Sequence, residues 1–384
     1  MTGRRSHQRE RFSLSRRPNS RGHTGIIHMY STQICNSQIF RVATALTRPF
    51  SVLRNFSLFN FNSLKLESCV DEYVHVSTLA QLVEASSFAG PLNFLGGGSN
   101  LLLRPKIDGR LLHIGVEGIS VTPFSEGKYL VRVGAGENWH KFVMHTLSLG
   151  IGGLENLALI PGNVGGAPYQ NIGAYGRELS ELVHSVEGFD LATKETRVLT
   201  KEECQFSYRD SVFRSEVIPH VIITHVTFLL GNLPLMTKYR DVRDTLSGYA
   251  REEIDHDLIA ETVIKIRQSK LPDLDEFPNV GSFFKNPTLS KQQYDRLRGK
   301  IDIVGFSQGE AIRVPAARLI DAQKWKGKQV GNVLVWHRQP LVLVNCGGAS
   351  ATDFLDVAAR VSDDVEQHYD IRLVLEPVIM GRDS

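Results

Sequence analysis

The sequence predicts an α+β fold, and three observations support this prediction. Residues 221–230 form a β-branched apolar run, which is typical of a strand. Residues 351–368 repeat their apolar positions with the period of an amphipathic helix. Glycine-rich turns separate segments of both kinds from about residue 61 onwards. Alternating βα and ββ units that are joined by such turns indicate an α+β architecture.

The same periods place the remaining elements along the chain. Helices are predicted at 78–87, 139–149, 259–267, 315–322 and 351–368. Strands are predicted at 73–76, 130–136, 182–190, 196–199, 221–230, 341–345 and 371–380, and residues 92–103 read as a strand, a glycine turn and a second apolar run. The last strand is interrupted by Glu376 and Pro377. Glu376 is therefore either an edge-strand residue that points to solvent or a carboxyl held over a ligand, because an unpaired buried carboxylate is costly.

Composition excludes several classes of protein. The 384 residues are long enough for two or three domains, and 42% hydrophobic with 22% charged residues is typical of a globular protein. No apolar run approaches the roughly 20 residues of a membrane span. The four cysteines are widely scattered and the histidines lack ligand spacing, so we expect neither a disulfide framework nor a metal site.

Residues 1–60 differ from the rest of the chain. They are rich in arginine and serine, Glu10 is their only acidic residue, and lysine is absent before Lys65. We interpret them as a disordered extension. An organelle transit peptide has the same composition, and a nucleic-acid-binding arm has the same charge.

Residues 152–178 contain seven glycines and very little charge. Glycine permits positive φ and lets the backbone approach a ligand closely, so this stretch is a candidate ligand-binding loop. The alternative is a glycine-rich connection between two sheets. The turn at 95–100 offers backbone N–H groups for a pyrophosphate in the same way, although it does not match G-x-G-x-x-G.

Six motifs in one order resemble the UDP-N-acetylenolpyruvoylglucosamine reductase family. They are Leu95-Gly-Gly-Gly-Ser-Asn-Leu, Gly134-Ala-Gly-Glu-Asn-Trp, residues 154–178, Ser207-Tyr-Arg-Asp-Ser-Val-Phe, Gly281-Ser-Phe-Phe-Lys-Asn-Pro and a terminal Leu-x-x-Glu-x-x-x-x-Gly. The resemblance runs from about residue 62 to residue 381. It implies a two-part FAD-binding domain of the vanillyl-alcohol-oxidase (PCMH) type at 61–232 and an α+β substrate-binding domain at 233–384.

The resemblance also implies an activity and its cofactors. The expected enzyme is an FAD-dependent UDP-N-acetylmuramate dehydrogenase, in which NADPH reduces non-covalently bound FAD and FAD reduces the enolpyruvyl ether of a UDP-sugar. The expected FAD-binding residues are Gly96, Gly97, Gly98, Ser99, Asn100, Asn156, Ile160, Pro161, Gly162, Gly165, Gly166, Ala167, Gln170, Asn171, Gly173 and Ala174. The expected substrate-binding residues are Tyr175, Tyr239, Lys270, Asn286 and Gln339.

Three residues match the family's catalytic positions. Arg209 would hold the substrate carboxylate, because a guanidinium is always charged and pairs with carboxylates bidentately. Ser282 would protonate the intermediate. Glu376 falls at the catalytic glutamate in an ungapped register counted back from Gly381, whereas matching Leu375-Glu-Pro directly would put Val378 there. We favour the ungapped register, since a deletion within a strand shifts every later cross-strand pair.

Two other functions remain open at this point. A flavin oxidase of the same superfamily would share the cofactor loops but would not need a proton donor such as Ser282. A nucleotide-sugar-binding or nucleic-acid-binding protein without catalysis would share the glycine loops and the basic arm. For the enzyme we expect small-molecule partners only, with no nucleic acid and no membrane, a monomer, and a cytoplasmic location with organelle import as the alternative.

Overall fold

The computed structural model describes residues 50–215 and 220–383. Most of the predicted extension, residues 1–49, lies outside this part of the chain. The helices are α1 (Leu79–Ala85), α2 (Trp139–Ser148), α3 (Gly166–Tyr169), α4 (Arg240–Leu246), α5 (His256–Lys270), α6 (Lys291–Arg298), α7 (Ala316–Ala322) and α8 (Ala351–Tyr369). Short 3-10 helices occur at Phe59–Phe61, Glu155–Leu157, Leu179–Glu181, Val212–Arg214 and Arg251–Glu253.

The strands alternate with these helices. They are β1 (Val52–Ser57), β2 (Cys69–Val76), β3 (Leu92–Leu95), β4 (Leu101–Leu103), β5 (Lys106–Ile114), β6 (Ile119–Ser125), β7 (Lys128–Gly134), β8 (Gly173–Ala174), β9 (Arg177–Glu178), β10 (Val183–Asp190), β11 (Glu195–Thr200), β12 (Val221–Gly231), β13 (Asn279–Ser282), β14 (Thr288–Leu289), β15 (Phe306–Gln308), β16 (Ala311–Arg313), β17 (Gln329–Val330), β18 (Val333–Val335), β19 (Val342–Asn345) and β20 (Val378–Met380).

The first sheet has the strand order β1, β2, β5 and β3. β1 pairs with β2 antiparallel, and both β2 and β3 pair with β5 in parallel. The fold therefore includes Val52–Ser57, and the predicted start at residue 61 is too late. The side chains of β1 are nearly all exposed, so the segment has no apolar face by which its sequence would be recognised as a strand.

The second sheet is antiparallel, in the order β11, β10, β12, β7 and β6. β12 lies at its centre between β10 and β7, and nine of its eleven residues are buried. Helix α2 contributes buried Trp139 and Phe142 to the same core. The predicted strand at 221–230 is confirmed, because a strand buried on both faces reads as a continuous apolar run.

The two large hydrophobic cores divide the chain at a different place from the prediction. Val242 of α4 and Val263 of α5 pack in the first core, together with the sheet of β12. The second core contains buried residues from Val280 to Leu373, joined by Leu64, Leu66 and Leu102. The core thus changes between α5 and β13, whereas the predicted boundary lies between residues 232 and 233.

The end of the chain returns to the first part of the fold. β20 pairs in parallel with β4, so that Val378 lies beside Leu101 and Met380 beside Leu103. Residues 371–377 are not part of one long strand. Leu375 instead forms an isolated antiparallel bridge with Phe284, and Pro377, which has no N–H to donate, separates this bridge from β20.

None of the helices in the described ranges is long and apolar enough to cross a membrane. Within the same ranges, no group of three or more His, Cys, Asp or Glu side chains is arranged to hold a metal ion.

Candidate active site

A cavity of about 470 Å³ lies between the glycine turn after β3 and the loop before α3. Leu101 at the start of β4 and Val378 and Met380 of β20 also line it. Twelve of the residues predicted to bind FAD line this cavity: Gly96, Gly97, Gly98, Ser99, Asn100, Ile160, Pro161, Gly162, Gly165, Gly166, Ala167 and Gln170.

Close backbone contact between the two loops explains the need for glycine. A Cβ on Gly97 would lie 2.6 Å from Gly162 Cα, closer than real Cβ contacts allow. Gly98 has a φ of +62°, and a Cβ there would meet the Phe61 carbonyl oxygen at 2.0 Å. Ser99 Oγ donates to the Pro161 carbonyl across the loop contact at 3.1 Å. The backbone itself therefore forms the wall of the cavity.

The cavity suits a dinucleotide such as FAD. Its lining is mostly apolar and includes the glycine turn Gly96–Gly98, whose backbone amides are groups of the kind that bind phosphate. Arg214 is its only charged side chain among the residues that the structure describes. These residues fit an adenine dinucleotide with a flat, weakly charged ring system.

Four other residues predicted to bind FAD do not line the cavity. They are Asn156, Asn171, Gly173 and Ala174. Buried Asn156 donates through Nδ2 to the carbonyls of Tyr175 at 3.0 Å and Met236 at 2.9 Å. Buried Asn171 donates to the Ser207 carbonyl at 2.9 Å. Both amides therefore hold backbone segments of the site in place.

Arg209 and Glu376 form an ion pair at the edge of this region. Arg209 Nε lies 2.9 Å from Glu376 Oε1, and the side chains are only 17% and 11% exposed. Arg209 Nη2 also donates to the Gly173 carbonyl at 2.9 Å. The alternative that Glu376 points to solvent is wrong. Val378, the other candidate for the glutamate position, lines the cavity instead.

Ser282 lies on β13, next to the segment that carries Glu376. It ends β13 opposite Val342, and the carbonyl of the next residue, Phe283, accepts the Glu376 N–H at 3.0 Å. The structure therefore brings the segments of Ser282 and Glu376 side by side, although the residues are far apart in sequence.

Asn100 joins this pair of segments to the cavity. Its Nδ2 donates to the Glu376 carbonyl at 3.3 Å and also to Gln170 Oε1. Its own carbonyl accepts the Val378 N–H at 3.0 Å. A residue of the cavity wall thus fixes the backbone on both sides of Pro377.

The charged groups beside Arg209 have shifted pKa values. Burial raises the pKa of the Glu376 carboxyl, even though the Arg209 guanidinium favours the ionised form. Burial also lowers the pKa of Lys285, and repulsion by Arg214 adds to this effect. Lys285 Nζ lies 3.4 Å from the Arg209 carbonyl, to which it donates. The cluster therefore holds a buried acid with a raised pKa among several cations.

The predicted substrate residues fall into two groups. In the first, the rings of Tyr175 and Tyr239 meet edge to face with centroids 5.4 Å apart. Burial raises the pKa of Tyr175 to about 12. Lys270, at the end of α5, forms an ion pair with Asp241 at 2.6 Å.

The second group consists of two amides. Asn286 Oδ1 accepts the Ala316 N–H at the start of α7 at 2.9 Å, and the Asn286 N–H donates to the Tyr208 hydroxyl at 3.3 Å. Gln339 Oε1 is buried, and no residue in the described part of the chain donates to it. A buried acceptor of this kind is available to a ligand or a water molecule.

Arg267 is a residue of the site that the sequence motifs did not reveal. It is half-buried on α5, and desolvation lowers its pKa, whereas Tyr175 acts in the opposite direction. Its Nε has no partner among the described residues. Arg267 lies three residues before Lys270, so the two residues lie on the same face of α5. Helical spacing from Lys270 could therefore have identified Arg267.

Two protein-family models match separate parts of the chain. The model of the FAD binding domain matches residues 70–200, which include both cavity loops. The model of the UDP-N-acetylenolpyruvoylglucosamine reductase C-terminal domain matches residues 272–380, which include Ser282 and Glu376. The predicted α+β fold with an FAD-binding domain and a following second domain is confirmed.

Individual relatives are similar over most of their length. The UDP-N-acetylenolpyruvoylglucosamine reductase of Bdellovibrio bacteriovorus is 41% identical over 85% of this chain and 99% of its own. That of Flavobacterium johnsoniae is 38% identical over 84% of this chain and 97% of its own. The crystal structure of the reductase from Thermus caldophilus aligns with a TM-score of 0.62 and 25% identity, covering 86% of this chain and all (100%) of that one. The chain therefore belongs to the UDP-N-acetylenolpyruvoylglucosamine reductase family, the FAD-dependent oxidoreductases of the reduction step in peptidoglycan synthesis.

Proposed function

We propose that the chain reduces UDP-N-acetylglucosamine enolpyruvate to UDP-N-acetylmuramate, with NADPH as electron donor and non-covalently bound FAD as the carrier. The observation that supports this most strongly is the Arg209–Glu376 pair beside the Ser282 segment, next to the cavity. Bound FAD supplies the hydride. The chain must hold the substrate carboxylate, stabilise developing negative charge and deliver a proton.

Arg209 and Glu376 suit the substrate carboxylate. Hydride addition at the methylene carbon places negative charge on the neighbouring carbon and its carboxylate, and fixed donors at that position lower the barrier. Arg209 provides a permanent charge. Glu376 in its protonated form provides a second donor, and its raised pKa favours that form. A substrate carboxylate beside it would raise the pKa further.

Ser282 is the proposed proton donor to the intermediate carbon. A hydroxyl is a weak acid, so a neighbouring cation must favour loss of its proton. Lys285 lies three residues away in the sequence, and burial lowers its pKa, with a further contribution from repulsion by Arg214. Protonation by Ser282 completes the addition of one hydride and one proton across the double bond.

The nucleotide part of the substrate requires cations and flat surfaces. We propose that Lys270 contacts the diphosphate, that Tyr239 covers it as a lid over Tyr175, and that Asn286 and Gln339 contribute amide groups. Tyr239 is 42% exposed and is held at its ring by Tyr175, which suits a residue at the mouth of a site.

The test is a pair of anaerobic half-reactions with the purified FAD-loaded protein. NADPH should bleach the flavin absorption, and UDP-N-acetylglucosamine enolpyruvate should restore it with formation of UDP-N-acetylmuramate. NADH in place of NADPH tests the choice of donor, and release of the flavin by acid denaturation tests non-covalent binding. Bleaching that molecular oxygen reverses while the enolpyruvate does not would instead support a flavin oxidase.

A cytoplasmic location and a monomeric state remain proposals. Sedimentation of the purified protein and localisation of the tagged full-length chain would test them, and oligomers or an organelle signal would contradict them.

A further inference from the structure

We propose that Arg214 stabilises the reduced form of FAD, with its guanidinium beside the isoalloxazine end of the cofactor cavity. The proposal rests on the proposed function only in that the reacting end of FAD must face Arg209 and Glu376.

Three contacts place Arg214 between the cavity and the catalytic cluster. It lines the cavity and is the only charged side chain that does so in the described part of the chain. Its Nη1 donates to the Arg209 carbonyl at 3.1 Å. Its guanidinium carbon lies 5.6 Å from the centre of the Tyr169 ring, which lines the same cavity. Arg214 is thus directed along the cavity wall at the end nearest Arg209.

Two parts of the cavity wall differ in chemistry. The glycine turn at Gly96–Ser99 lines the cavity, and its backbone amides suit the diphosphate of the dinucleotide. A hydride donor must lie within contact distance of a substrate held by Arg209 and Glu376. The ring that carries the hydride would therefore lie on the side of the cavity nearest Arg209, and Arg214 is the charged side chain that lines the cavity there.

A cation there acts on the redox state of the ring. Reduction by two electrons and one proton leaves one extra negative charge on the isoalloxazine, and charge near its ring nitrogens tunes its potential. The surrounding wall is mostly apolar, so the interaction is screened less than it would be in water. Arg214 should bind reduced FAD more tightly than oxidised FAD, which raises the midpoint potential of the bound cofactor.

Binding of the diphosphate is the competing role for a cavity arginine. That role predicts equal weakening of both redox states when the charge is removed, because the diphosphate carries the same charge in each. The midpoint potential separates the two roles, since it depends only on the ratio of the two dissociation constants.

The experiment compares Arg214→Gln, Arg214→Lys and the matched control Arg296→Gln, which removes the same charge from an exposed position on α6. Midpoint potentials are measured on the FAD-loaded proteins without NADPH or sugar substrate, so the result is independent of the proposed reaction. We expect Arg214→Gln to lose about tenfold more affinity for reduced than for oxidised FAD, equivalent to a fall of about 30 mV. Arg214→Lys should restore most of this fall, and Arg296→Gln should not change the potential.

Weak binding does not prevent the measurement. If Arg214→Gln loses its flavin during purification, anaerobic titration of the apoprotein with oxidised and reduced FAD gives the same ratio. Circular dichroism confirms that the variant is folded. A variant whose two dissociation constants rise by the same factor, or do not change, would overturn the proposal.

Discussion

Arg209 Nε lies 2.9 Å from Glu376 Oε1, although 167 residues separate the two in the sequence. Arg209 adopts a left-handed backbone conformation with a φ of +54°, which directs its side chain toward Glu376 and the Gly173 carbonyl. A non-glycine residue in that conformation carries a cost of about 1–3 kcal/mol that the surrounding contacts must offset. The surrounding contacts therefore hold Arg209 and Glu376 in this geometry.

Glu376→Gln should abolish most turnover while the protein keeps its FAD. Glutamine retains the shape but cannot share a proton, and the loss of a charge partner for Arg209 alters the binding of the substrate carboxylate. We expect a fall in kcat of about 100-fold or more, because an amide N–H is a much weaker donor than a carboxylic acid at a position where a donor contributes about that much. Full activity in Glu376→Gln would refute the ungapped register. Arg209→Lys, which keeps the charge but loses the bidentate geometry, provides the comparison.

Ser282→Ala should separate the two half-reactions. NADPH should still bleach the flavin at the normal rate, because that step needs no proton from Ser282. Reoxidation by the enolpyruvate should slow by about 10²–10⁴-fold, the usual contribution of a general acid. Stopped-flow absorbance measures both steps. An equal fall in the two rates would mean that Ser282 acts on binding or structure instead.

Gly97→Ala should weaken FAD binding and lower stability. The new Cβ would overlap Gly162 Cα at 2.6 Å, and neither backbone can move without separating the loops. Overpacking of this kind costs about 1–3 kcal/mol. Thermal unfolding with and without FAD provides the measurement. Gly248→Ala is the control, since nothing lies within 4 Å of a Cβ there. Equal unfolding temperatures for the two variants would contradict the loop contact.

Asn156→Ala should raise the KM for the UDP-sugar without loss of flavin. Asn156 connects the backbone of Tyr175 to that of Met236, three residues before Tyr239, and so sets the distance between the two rings. Two buried hydrogen bonds of about 1 kcal/mol each give an expected increase of at least tenfold. Flavin content should remain that of the unchanged chain. Loss of flavin with an unchanged KM would contradict this prediction and would indicate that Asn156 binds FAD.

The pair of buried Glu155 and half-buried His256 should make stability depend on pH. Glu155 Oε1 lies 3.1 Å from His256 Nδ1 at the start of α5. The Glu155 partner raises the pKa of His256 above 6.5, and although burial opposes ionisation of Glu155, the His256 partner lowers the pKa of Glu155 below 4.5. Both groups are charged between these values, where the pair stabilises the fold most.

The sign of the pH effect follows from the two shifts. The contribution of protonated His256 is complete below about pH 6.5 and is lost as the pH rises through its raised pKa. The contribution of ionised Glu155 is present above about pH 4.5 and is lost as the pH falls through its lowered pKa. His256→Gln should cost about 3–5 kcal/mol near pH 6, as for a broken buried pair, and less in alkaline buffer. Urea unfolding across this range, with exposed His184→Gln as control, measures the difference. A pH-independent difference would rule out titration of the pair.

Local patterns in the sequence determined the elements and the cofactor loops. β12 and α8 could be predicted because long apolar runs and a helical period depend only on neighbouring residues. The glycine loops at 96–98 and 162–166 could be predicted in the same way. Glycine is needed wherever one backbone approaches another group closely, so the residue type alone marks such loops. β1 could not, because its exposed side chains carry no pattern, and its strand exists only through pairing with β2.

Only the tertiary structure decided which distant residues act together. In the structure, Asn156 and Asn171 hold backbone segments in place. Helices α4 and α5 pack in the first core. Arg214 lines the cavity, and Arg267 lies near Tyr175. The pairing of β20 with β4 places the end of the chain beside the cavity and so aligns Glu376 with Arg209. Motifs specify residue types at short spacing. The distances and pKa values that make those residues reactive arise from burial and from contacts between segments more than 100 residues apart.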